Sequence, residues 1–163
     1  MSSPETEILR VFYVDSRQHL YTYALSITAN REAAEDAIQR VFQQLLQRGK
    51  LPADLRPYIF RCVRNAALDG LRRGKVRGDS IFEVEQLPDA GGPDVATGLR
   101  KAELDQWLTQ LSVDEREAIV LKIYDDFTFQ QIADLRQVPL PTVASWYRRG
   151  IEKLKELATA RTQ

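Results

Sequence analysis

"FTFQQIADLRQVPLPTVASWYRRGIEKL", Phe127 to Leu154, is the stretch on which the reading of this chain turns. Its apolar residues recur at intervals of three and four, the spacing of amphipathic helices. A short helix over about Phe129 to Leu135, a tight turn and a second helix from near Pro141 make a helix-turn-helix layout. Proline at 141 suits a helix's first turn, where its missing N–H costs nothing. Ala133 falls where the two helices cross and a larger side chain would clash, with Ile132 and Val143 filling the wedge. Val143, Tyr147, Ile151 and Leu154 form the inner stripe of the second helix. Gln137 stands at the turn position where glycine usually supplies a left-handed residue.

That arrangement leaves Thr142, Ser145, Trp146, Arg148 and Arg149 on or near the outside, at the start of the second helix. In a helix-turn-helix this end enters the DNA major groove, where arginine binds a guanine edge or a phosphate and hydroxyls bind either. The competing reading makes Trp146 and Tyr147 core and the arginines a solvated face. Tyr147 fits it, lying on the inner stripe; the local charge and the position of the arginines favour DNA contact.

The rest of the chain tells in the same direction. Its 163 residues are 44% apolar, enough for one domain or two small ones, and its formal net charge is zero. The zero conceals segregation. Arg56 to Arg77 holds seven Arg or Lys against the single acid Asp69, Asp79 to Asp94 holds five acids and no base, and Ala144 to Gln163 holds five bases against two acids. Basic blocks on helices attract polyanions whatever the total charge. One cysteine, Cys62, excludes an internal disulfide, and one histidine, His19, leaves no zinc set. Cys62, spaced helically with Ile59, Val63 and Ala66, reads as a small buried hydrophobe. No run approaches eighteen apolar residues and the polar start is unlike a secretory signal, so a soluble cytoplasmic protein without membrane insertion is expected.

Upstream, Ser3-Pro4 gives a cap and a first-turn proline, and Ile8, Leu9, Phe12, Leu20, Ala24 and Ile27 continue an apolar face. Asn30 caps a second helix with Ala34, Ile38, Val41, Phe42 and Leu45 on its apolar face. "RGKLPADL" breaks it, and a third helix from about Leu55 to Arg73 buries Ile59, Val63, Ala66 and Ala67. Gly78 to Gly98, with four glycines, two prolines and an acidic bias, reads as a linker. After it "LRKAELDQWLTQL" is helical, and Ser112 caps "VDEREAIVLKIY" with Glu115 in the capping-box position. The expected fold is all-α: helical domains over residues 1–77 and 99–163, the second a helix-turn-helix, joined by a flexible acidic linker over 78–98.

Taken together, the two halves resemble the extracytoplasmic-function (ECF) sigma factors, the smallest promoter-specificity subunits of bacterial RNA polymerase. "LYTYALSITANREAAEDAIQRVFQQLL" is similar to the family's second conserved region, "RPYIFRCVRNAALDGLRR" to its continuation, and "LDQWLTQLSVDEREAIVLKIYDDFTFQQIADL" to its fourth region. The resemblance implies that Glu35, Asp36, Gln39 and Phe42 dock on the polymerase clamp helices. It implies that Asn65 belongs to a pocket for a flipped base of the minus-ten element, with "QRGKLPADL" as the other wall. Arg61, Arg64, Arg72 and Arg73 then hold the backbone of the opening DNA. Pro141, Thr142, Ser145, Trp146, Arg148 and Arg149 fall on the helix that reads the minus-thirty-five element, and the acidic linker passes through the polymerase cleft. Core RNA polymerase, promoter DNA and an anti-sigma factor are the implied partners, and no cofactor is implied.

This chain departs from the family pattern at four places. Arg40 stands where the family has an acid, Tyr58 replaces a tryptophan, Pro141 a glycine and Trp146 an arginine. Two alternatives therefore stand beside a promoter-directing subunit: a sigma-derived DNA-binding regulator that works without polymerase, and an interaction protein that binds an anti-sigma factor. No nucleophile with a base, Gly-rich phosphate loop or metal set supports an enzyme. Glu35-Asp36 and Asp125-Asp126 are adjacent pairs that diverge on a helix.

Overall fold

Serine followed by proline fixes where the first helix begins. The computed structural model describes residues 3–74 and 109–162. In it the Ser3 hydroxyl accepts the Thr6 N–H at 3.1 Å and Pro4 opens α1, Pro4–Thr28. Asn30 caps α2, Arg31–Arg48, its side-chain oxygen accepting the Ala33 N–H at 2.9 Å. α3 is Leu55–Gly74. Ala29 ends α1 and Gly49 ends α2 in left-handed conformations, with φ of 52° and 72°. Each donates its N–H to the carbonyl four residues back, satisfying an end that would otherwise be open.

The three helices pack mutually. Residues Thr22 to Thr28 of α1 are buried without interruption, so the C-terminal half of this helix is the axis of its unit. Tyr23 sets its ring 5.5 Å from Phe60 of α3, both fully buried. The α2 face expected from periodicity is buried as read, with Ala37 added. Two other faces differ. Ile8 is 50% exposed and Phe12 only half-buried, because Leu9, 2% exposed, takes the inward position of these turns and Ile8 stands a residue off that stripe. On α3 the buried set is Ile59, Phe60, Val63 and Ala67, while Ala66 is half-buried. The helix is thus rotated toward Phe60, whose larger surface dominates the burial energy.

The chain divides into two compact units, Met1–Gly78 and Asp79–Gln163. The acidic stretch over 78–98 and all but the last three residues of the helix expected over 99–111 lie outside the described residues. Thr109, Gln110 and Leu111, its expected end, are in a turn and bend rather than a helix. In the second unit, α4 is Val113–Ile119, continued by a π-helical turn over Val120–Tyr124. α5 is Phe129–Arg136 and α6 is Leu140–Thr162. Both expected local signals are present at α4: Ser112 Oγ accepts the Glu115 N–H, and Glu115 Oε1 accepts the Ser112 N–H. A second capping box, Thr128 with Gln131, starts α5.

Gln137 does adopt the left-handed conformation, φ 56°, and closes α5 with a paired hydrogen-bond motif. The Val138 N–H reaches Ala133 O at 3.0 Å and the Gln137 N–H reaches Asp134 O at 3.3 Å. Ile132, Ala133 and Val143 are buried where the helices cross. Every regular element among the described residues is helical.

Candidate nucleic-acid interface

α3 supplies the first candidate surface. With Ile59, Phe60, Val63 and Ala67 turned inward, helical periodicity sets Arg61, Asn65 and Arg72 along the opposite line, with Arg64 to one side of it. Asn65, Arg72 and Arg73 are exposed, and Arg61 and Arg64 half-buried. Arg73 lies beside this line, its Nε 3.2 Å from Asp69. The preceding loop, which begins at the Gly49 cap, is bracketed by a hydrogen bond from Arg48 to the Tyr58 hydroxyl at 3.0 Å. Cys62 is half-buried rather than buried. Burial pushes its thiol up, against the hydrogen bond from Tyr58 and the charges of Arg48 and Arg61, so it stays protonated at neutral pH.

The surface read as polymerase-facing is only partly assembled as expected. Glu35, Asp36 and Gln39 are exposed on α2. Phe42 is not: it is 8% exposed, with its ring edge-on to Tyr13 at 5.1 Å. It belongs to the core, because Tyr13 of α1 covers the ring that α2 alone would present. Arg40, the residue out of pattern, turns back on its own unit. It pairs with Asp36 at 3.0 Å and approaches Asp69 at 3.9 Å, linking α2 to the α3 acid that also holds Arg73.

α6 supplies the second candidate surface. Pro141, Arg148 and Arg149 are exposed; Thr142, Ser145 and Trp146 are half-buried. Tyr147, expected in the core, is also half-buried and meets Phe129 edge-on at 5.3 Å. Trp146 is covered on one face by the Arg136 guanidinium, 4.6 Å from the ring centroid. Arg136 itself is anchored by Asp114 at 2.7 Å and Glu117 at 3.4 Å, and its side chain is 10% exposed. One guanidinium thus ties the end of α5 to α4 and to α6.

A second tie crosses from α4. Glu115, 5% exposed, takes Lys153 Nζ at 2.8 Å and faces Arg149 Nε at 3.7 Å. Burial pushes its carboxyl up, but hydrogen bonds from Lys153 and Ser112 and the charge of Lys153 outweigh it and hold the carboxyl below its ordinary value. α6 passes close against α4 at Gly150, where an added Cβ would fall 2.6 Å from Ile119 Cδ1. Glycine there has a steric reason. Sequence reasoning missed Arg136, Glu115 as a partner of α6, and Gly150. Only the unpaired glycine inside a helical pattern offered a signal in the sequence.

Comparison with known proteins meets this geometry from outside. Residues 12–77 match the family model described as Sigma-70 region 2, and residues 101–154 that described as Sigma-70, region 4. The RNA polymerase sigma factor CarQ of Myxococcus xanthus is 33% identical over 137 residues, 78% of this chain and 76% of its own length. The ECF RNA polymerase sigma factor SigL of Mycobacterium tuberculosis is 26% identical over 161 residues, covering 94% and 90%. Among solved structures, the sigma factor RpoE of Bartonella quintana, in complex with the anti-sigma factor NepR, shares the fold. Its TM-score is 0.75 at 21% identity, over 94% of this chain and 98% of that one.

Proposed function

The chain belongs to the ECF RNA polymerase sigma factors, and from that premise we propose how its two helical units divide promoter recognition between them. As a member of that family it binds core polymerase and promoter DNA and directs transcription initiation. The first unit, residues 1–77, docks on polymerase through Glu35, Asp36 and Gln39, with Phe42 supporting that face from beneath. Its α3 line of Arg61 and Arg72, flanked by Arg64 and Arg73, holds the phosphates of the opening minus-ten element, and Asn65 takes an unstacked base. Strand opening exposes phosphates and bases together, which long flexible cations beside an amide can follow. The second unit, residues 99–163, reads the minus-thirty-five duplex with the start of α6. Ser145, Arg148 and Arg149 contact base edges or phosphates there, and Pro141 and Thr142 set the approach of the first turn. The protein works without a cofactor or an active site of its own.

We extend two further points to this chain by family analogy. An anti-sigma factor is its regulator, as NepR is bound to the relative of solved structure. It acts in the cytoplasm, where polymerase is; no helix among the described residues is long and apolar enough to cross a membrane.

The observation that carries this reading is the order of both sigma regions along one chain, with cationic residues on a helix of each unit. Transcription in vitro with core polymerase and a library of upstream DNA tests it. Transcripts that depend on this protein and share two upstream elements support it. Tight duplex binding by the free protein without any dependent transcript would select the stand-alone regulator instead.

A further inference from the structure

Arg149 and Lys153 both reach Glu115, but the two oxygens of that carboxylate are used differently. Oε1 takes the Ser112 N–H at 3.0 Å and the Lys153 ammonium at 2.8 Å, so it is committed to the α4 cap and to the α4–α6 tie. Oε2 faces Arg149 through Nε at 3.7 Å, too long for a hydrogen bond but close enough to orient a charge. The Glu115 side chain is 6% exposed and cannot follow Arg149 outward, whereas the Arg149 side chain is 53% exposed. Nε is thus the guanidinium nitrogen nearest Glu115, and the terminal pair lies farther from that carboxylate. That pair is the fork that binds a guanine edge or a phosphate with two parallel hydrogen bonds.

From this geometry we infer that Glu115 is a positioning residue for base readout by Arg149, presenting its guanidinium fork to a guanine in the upstream element. The inference rests on the reading of α6 as the duplex-reading helix. A freely rotating arginine at the same site grips phosphate as well as base, and gives affinity with little selectivity. Holding Nε from behind restricts the rotamers of Arg149 before DNA arrives, so less freedom is lost on forming the paired contact. Lys153, in direct hydrogen-bond contact, is the structural partner of Glu115. Arg149 is the functional one.

Glu115→Gln separates these roles. Glutamine keeps an oxygen for the Ser112 N–H, since the capping box accepts it, but replaces the charged oxygen facing Arg149 with a neutral amide. The measurement is transcription by holoenzyme carrying the full chain, on a promoter library randomised over the upstream element, with melting temperature followed in parallel. Arg149→Ala first identifies the base pair whose preference depends on Arg149. Glu115→Gln is expected to reduce the preference for guanine at that pair by roughly fivefold or more, and to leave the other positions as they were. In the Arg149→Ala background the same change should have no further effect at that pair. Lys153→Gln is expected to lower the melting temperature yet keep the preference, and it remains informative if Glu115→Gln does not fold. An unchanged guanine preference in Glu115→Gln overturns the inference alone. So does an additive loss in the double variant, or an equal loss in Lys153→Gln. If Arg149→Ala changes no preference, the reading of α6 itself fails and the inference with it.

Discussion

α3 and the first half of α6 are the two basic helices proposed to meet nucleic acid, yet they are built oppositely. α3 carries five arginines and one carboxylate, Asp69, in twenty residues. Its outer line is set by which side faces the core. Its ion pairs run along the surface, Asp36 to Arg40 to Asp69 to Arg73, between side chains 38–56% exposed. Exposed pairs of this kind hold weakly and exchange readily. α6 is wired inward: Trp146 lies under Arg136, Arg149 and Lys153 face Glu115, and the carboxylates behind them are 6% or less exposed except for Asp114. Loose cations suit a polymer that changes shape as its strands part. Fixed ones suit a duplex groove of constant geometry.

The largest expected effect tests whether the α3 line is a by-product of core packing. Phe60→Ala removes the fully buried ring that sets the rotation of α3, and should destabilise the first unit by on the order of 3–5 kcal/mol in thermal or denaturant unfolding. A cost near zero would mean that something else orients the arginine line. Next, Arg136→Lys keeps a charge near Asp114 but loses the fork and the flat face over Trp146. About 1–2 kcal/mol of stability should go, with a changed Trp146 fluorescence in a Trp107→Phe background. Identical emission would show that the stack does not hold the indole.

A smaller effect follows from Glu115. Because its carboxyl is held below the ordinary value near 4.5, its contribution is fully present above the unfolded-state pKa and is lost as pH falls through the lower folded one. Acid unfolding of the second unit below about pH 4.5 should therefore flatten in Glu115→Gln. A titration with the same acid limb in both proteins would remove the inward wiring from the comparison. Smallest of all, Gln137→Gly relieves a left-handed residue and should raise stability by up to about 1 kcal/mol, less the added freedom of the unfolded chain.

What could be read from sequence divides along physical lines. Signals that act within four residues were legible: the Ser3, Asn30 and Ser112 caps, the Glu115 capping box and the left-handed Gln137. The Ala133 crossing, ten residues from Val143, was legible only through the helix-turn-helix pattern. The signals that failed need a partner from elsewhere. The spacing of Phe42 placed it correctly on the apolar face of α2, but that Tyr13 of another helix covers its ring was not readable. Ala66 and Phe60 share a helix, and only packing against Tyr23 decides between them. Arg136 meets Asp114 across 22 residues and Lys153 meets Glu115 across 38, separations at which periodicity says nothing. The outer residues of α6 were found as a group, but their division into held and open members was not.

The most direct test of the division between the two helices uses one promoter library, randomised at both elements, and two holoenzymes. Arg72→Ala on the α3 line should lower output across all sequences and reduce the salt slope for the opened strand by about 0.7, as one lost phosphate contact requires. Arg149→Ala on α6 should relax preference at one upstream base pair and leave the minus-ten profile unchanged. If instead Arg149→Ala lowers output uniformly while Arg72→Ala shifts base preference, the loose helix is the reader, the wired one is the grip, and the account is wrong.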